Sequence, residues 1–134
     1  MTQMIFVNLP VKDLEVSKAF FTKLGYSVNA QFTDENASSI VVSDTIVLML
    51  LKESFFETFT TRKIADTSTT VESITCFSAE SREAVDELVD TALSSGGSPA
   101  QEPQDHGFMY GRSFLDPDGH HFEVVWMDPS AIQS

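Results

Sequence analysis

The sequence predicts an α+β fold made of two tandem βαβββ modules, residues 1–53 and 70–134, joined by a linker over 54–69. Three observations lead there. The order strand, helix, three strands can be traced twice along the chain. Each stretch of helical periodicity runs into glycine, Gly25 in the first half and Gly96-Gly97 in the second. Each half also closes on a hairpin, turning at Asp44-Thr45 and again at Asp116-Pro117-Asp118-Gly119. A chain of 134 residues is long enough for one domain with a real core, and an internal duplication is the economical account of its grammar.

Met4 to Leu9 is a short apolar run ending at Pro10, as a strand would. Asp13 is placed to cap a helix through about Lys23, with Val16, Ala19, Phe20 and Leu24 as its apolar stripe. Tyr26 to Phe32, Ser39 to Val42 and Ile46 to Leu51 read as strands. Ser54 to Asp66 sets Phe55, Phe56, Phe59 and Ile64 among polar residues; a short helix docked on the sheet is the plain reading, and a mobile lid or a segment crossing to a second subunit the sharper one. Val71 to Ser78 resumes as a strand. Ser81 opens a second helix with Ala84, Val85, Leu88, Val89, Ala92 and Leu93 on one face. Prolines restrict Ala100 to Gln104 to an edge strand. Phe108 to Met127 forms the last hairpin. Counting from a Leu115–His120 pair sets Phe114 opposite His121, Arg112 opposite Glu123 and Tyr110 opposite Val125 on one face. Phe122, Val124 and Trp126 take the other, under the helices.

Composition excludes several partners. Eight basic residues against twenty acidic ones give a net charge of −12, without the basic footprint that nucleic acid or an anionic membrane requires. The N-terminus lacks the form of a secretory signal, no apolar run is long enough to span a bilayer, and the expected location is cytoplasmic. Cys76, the single cysteine, sits in an apolar run and reads as a buried structural thiol.

Two βαβββ units, GFMYGRSF-x-DPDGH-x-x-EV-x-WMDP and MIFVNLPV-x-DL-x-x-SKAFF together resemble the vicinal-oxygen-chelate superfamily, which includes glyoxalase I, extradiol dioxygenases and bleomycin-resistance proteins. Within it, the likeness is to the subgroup labelled predicted lactoylglutathione lyase. The resemblance implies a curved mixed sheet around an open cavity, helices on its outer face, and a homodimer. It also implies four metal-ligand positions. Seven residues before the helix-start Asp13 stands Phe6, and seven before Glu80 stands Ser73; the last strands of the two modules offer Met49 and Glu123. Only Glu123 suits a hard divalent ion, since three or four converging donors are needed. No cofactor is therefore expected, and Zn²⁺ or Ni²⁺ is the disfavoured alternative.

The remaining polar candidates are Tyr110, Arg112, His121 and Glu123, with Asn8 from the first strand. Arg112 and Glu123 could form a structural ion pair, or Arg112 could fork onto a ligand oxygen while Glu123 acts as a base. His121 could shuttle protons or simply occupy the strand, and His106 and His120 read as solvent-facing. The expected function is binding of a small organic molecule between the modules without metal, with Phe6, Asn8, Met49, Ser73 and Phe114 as contacts. A lyase or isomerase using Glu123, with or without metal, is the first alternative. A ligand-free protein-interaction module is the second.

Overall fold

The structure, a computed structural model, describes residues 2–131. The chain divides into two units, Met1–Ala65 and Asp66–Ser134, which share one topology. In the first, β1 (Ile5–Val11), α1 (Leu14–Lys23), β2 (Ser27–Val28), β3 (Ala37–Ser43) and β4 (Ile46–Lys52) build an open sheet in the order β1-β4-β3-β2. β1 and β4 are parallel and the other pairs antiparallel.

Asp13 caps α1 as expected, its side chain accepting the Glu15 and Val16 N–H groups at 3.0 and 3.2 Å. The buried stripe is rotated from the expected one. Leu14, Ser17, Phe20, Phe21 and Leu24 are buried, whereas Val16 is 51% exposed. Burying both phenylalanines removes far more apolar area than burying Ala19 with one of them, so the helix turns that way. Their rings meet edge to face at 5.0 Å, and Leu9, Val11, Ile40, Leu48 and Leu50 complete this core. The expected strand Tyr26–Phe32 shrinks to Ser27–Val28. Asn29 accepts the Gln31 N–H at 3.1 Å and starts a 3-10 turn over Ala30–Phe32, so a local side-chain bond displaces the ladder. A one-turn helix, α2 (Glu53–Phe56), follows β4 at once and packs on β1 and β4.

In the second unit, β5 (Ile74–Ser78), α3 (Arg82–Ser94), β6 (Ser98–Pro99), β7 (Gln104–Asp105), β8 (Met109–Leu115) and β9 (His121–Met127) form an open sheet in the order β5-β9-β8-β6, with β7 also on β8. Ser81 caps α3 through the Ala84 N–H at 3.0 Å. Val85, Val89 and Ala92 of α3 are buried with Phe77, Phe114, Phe122 and Val124. Phe114 stacks on Phe122 at 5.3 Å. The proline-containing edge is two short strands rather than one, because Pro99 and Pro103 cannot donate to a continuous ladder. Among the described residues, no helix is long and apolar enough to cross a membrane.

The register of the last hairpin fixes everything that follows. Leu115 pairs with His121, not His120, so Phe114 faces Phe122, Ser113 faces Glu123, Arg112 faces Val124 and Tyr110 faces Trp126. The cause is the turn. Asp116 Oδ1 accepts the N–H groups of Asp118 and His120 at 2.9 and 2.8 Å, and the Asp116 N–H donates to His120 O at 3.0 Å. His120 is thereby held in the loop instead of opening the strand. A one-residue slip moves alternate side chains to the other face. Tyr110, Arg112 and Phe114 therefore join Phe122, Val124 and Trp126 against α3, leaving Met109, Gly111, Ser113 and Leu115 beside His121, Glu123 and Val125 on the open face.

Candidate functional site

The open face of the second sheet carries a cavity of about 230 Å³, lined by Gln101, Glu102, Gln104, Met109, Gly111, Arg112, Ser113, Glu123 and Val125. Its floor follows from the register. Gly111 lies opposite Val125, and a Cβ there would stand 3.2 Å from Val125 Cγ2, so the glycine lets the valine side chain lie over it. Ser113 lies opposite Glu123 and pins the wall, its Oγ accepting the Gln101 N–H at 2.8 Å. The Glu123 carboxylate is half-buried and makes no hydrogen bond or ion pair among the described residues. On the β5 side, Cys76 pairs with Glu123. It is exposed rather than buried, and its thiol pKa is pushed up by desolvation and by the Glu123 charge, which disfavours the thiolate. His121 stands on the same face as Glu123, two residues before it. It is buried, and its Nε2 has no partner among the described residues.

Arg112 and Tyr110 are elsewhere. Arg112 Nη1 donates to Asp86 Oδ1 and Asp90 Oδ1 of α3, both at 2.9 Å, and Tyr110 O–H donates to Asp86 Oδ1 at 2.6 Å. The tyrosine hydrogen bond, seconded by Arg112, holds the Asp86 carboxyl below the usual range. Further along the same seam, Arg82 forks onto Asp105 at 2.9 Å on each arm and lies 5.2 Å from the ring centres of Tyr110 and Trp126. That fork brings the Asp105 carboxyl down to about 2. The expected Arg112–Glu123 pair does not form. The arginine fastens a helix to the back of the sheet, and Phe114 is fully buried on that same side.

Of the other expected contacts, Phe6, Asn8 and Met49 lie on the face of the first sheet away from α1. Asn8 pairs with Met49, which pairs with Ser39. Ser73 precedes β5 and is exposed. The true helix cap is Ser81, so a count of seven reaches Ile74, the residue matching Phe6 in the repeated topology. The four family positions thus carry Phe6, Met49, Ile74 and Glu123. One oxygen donor among hydrocarbon and thioether groups does not fit a hard divalent ion, and the described residues hold no group of three or more His, Cys, Asp or Glu placed to bind a metal. His120 is 3% exposed rather than solvent-facing, and its Nδ1 lies 2.8 Å from Glu72 Oε1. Sequence reasoning missed Gly111, Ser113, Gln101, Glu102 and Gln104. The signal was present in the turn, since correct pairing alone would have put Gly111 and Ser113 next to Glu123.

Comparison with known proteins supports the architecture. The family model for the Glyoxalase/Bleomycin resistance protein/Dioxygenase superfamily matches residues 3–124. A hypothetical protein from S. aureus, SA1046, superimposes with a TM-score of 0.79 at 28% identity, covering 94% of each chain. A family enzyme from Burkholderia phytofirmans gives 0.79 at 17% identity, covering 94% of this chain and 99% of the other. A structure titled lactoylglutathione lyase, from Agrobacterium tumefaciens, gives 0.67 at 18% identity over 98% of both chains. The last two likenesses are of fold alone. No curated protein matches the sequence.

Proposed function

The chain belongs to the Glyoxalase/Bleomycin resistance protein/Dioxygenase superfamily, and on that premise we propose that it binds a small organic molecule on the open face of its second sheet, without a divalent metal. One observation carries the reading. A half-buried carboxylate, Glu123, stands on the floor of a cavity with no hydrogen-bond or ion-pair partner among the described residues. Withdrawing a charge from water without a partner costs free energy, and a ligand donor returns it. The metal-free part rests on side-chain chemistry at Phe6, Met49 and Ile74, none of which offers a hard ion a lone pair it prefers.

A fragment panel followed by backbone amide NMR tests the site. Binders should shift Gly111, Ser113, Glu123 and Val125 together, and a panel whose every binder maps elsewhere removes the proposal. Elemental analysis tests the metal: stoichiometric zinc or nickel that is lost in Glu123→Gln would refute that part. The competing reading is enzymatic, with Glu123 as general base. Turnover of a glutathione hemithioacetal by metal-supplemented protein, abolished in Glu123→Gln, would replace binding with catalysis.

A further inference from the structure

We propose that the molecule accommodated on this face is an organic cation, a protonated amine or amidinium on a compact apolar body; the inference rests on the binding site proposed above. The cavity's charged lining residues are Glu102, Glu123 and Arg112, and its uncharged polar ones are Gln101, Gln104 and Ser113. Arg112 is nevertheless committed elsewhere, because its Nη1 donates to Asp86 and Asp90 of α3 on the other side of the sheet. The register that removes Arg112 from this face thus removes the group an anionic ligand would need. A net charge of −12 deepens the negative potential and draws cations in.

The acceptor that lacks a partner points the same way. Glu123 presents carboxylate oxygens to the cavity with no hydrogen bond or ion pair among the described residues. An ammonium or amidinium supplies several N–H donors and no acceptor, and a carboxylate supplies the reverse. Met109 and Val125 provide the apolar wall.

Three isosteric probes, benzylammonium, benzyl alcohol and benzoate, decide the matter when titrated at pH 7 and low salt with amide shifts as the readout. Benzylammonium should bind at least tenfold tighter than either of the others. It should weaken about tenfold in Glu123→Gln and less in Glu102→Gln, and fade as salt is raised. Lys23→Met, altered on α1 of the first unit, should keep its affinity within about twofold. Benzyl alcohol or benzoate binding as tightly as benzylammonium, with shifts at Gly111, Ser113 and Glu123, overturns the cation while leaving the site in place. Absence of shifts on this face with all three probes and the wider panel overturns both. Amide dispersion of each variant shows that a lost interaction is not lost folding.

Discussion

At the residue scale, Asp116 is a buried carboxyl in the turn of the last hairpin. It is 2% exposed; Oδ1 accepts two backbone N–H groups, while Oδ2 is buried with no partner among the described residues. Desolvation raises its pKa to about 6, against the smaller opposing pull of His120. The unfolded value is about 3.9, so between these two pH values the native state binds more protons than the unfolded chain. The contribution of Asp116 to stability is therefore full below about pH 4 and is lost as pH rises through 6. Asn in its place keeps the acceptor and loses the titration. We expect urea unfolding at pH 4.5 and 7.5 to show Asp116→Asn gaining on wild type by about 2 kcal/mol across that interval. Parallel pH profiles for the two proteins would mean that Asp116 is not the titrating group. The type of residue at the site was legible in the chain, and its partners were not. Glu123 was singled out from its place after the DPDG turn, but nothing in the letters shows that Arg112 reaches Asp86 and Asp90 on a helix more than twenty residues away.

At the element scale, the elements were readable where one signal dominated. Asp13 and Ser81 cap the two long helices, and Gly25 and Gly96 follow them at φ 104° and 114°. The signal failed where side chains compete for backbone groups. Asn29 ended β2 early, and Asp116 drew His120 into the turn and shifted the register of β8 and β9 by one residue. Periodicity locates strands, but the turn's hydrogen bonds decide which side of the sheet each residue faces. The turn is also held from outside. Thr67 Oγ1 donates to Asp118 O, and Gly119 sits at φ +83° with room for no Cβ, which would lie 2.7 Å from Thr67 Oγ1. Gly119→Ala should lower stability by about 1–3 kcal/mol, combining left-handed strain with that clash. Adding Thr67→Ala should recover part of the loss, with a coupling of at least about 0.5 kcal/mol in a double-mutant cycle. Strict additivity would mean that the threonine does not oppose the new methyl.

At the scale of the whole molecule, each sheet begins with an edge strand, β1 in the first unit and β5 in the second. The β1 edge is unusually apolar for an open one. Met4, Ile5 and Phe6 are 44%, 54% and 55% exposed, with no charge among them to discourage pairing. A surface of that kind on an otherwise acidic chain suits contact with another copy of itself, the homodimer that the family resemblance implies. Electrostatics works against this association, because each subunit brings a charge of −12. The dimer should therefore tighten as salt screens the repulsion, opposite in sign to the salt response expected of cation binding. Light scattering should give about twice 14.8 kDa at micromolar concentration in 0.15 M salt. Phe6→Asp should return it to the single-chain mass with the far-ultraviolet circular dichroism unchanged, since Phe6 already faces solvent in one chain. A single-chain mass for the wild type at every salt concentration, or a dimer indifferent to Phe6→Asp, would mean that this edge is not where copies meet.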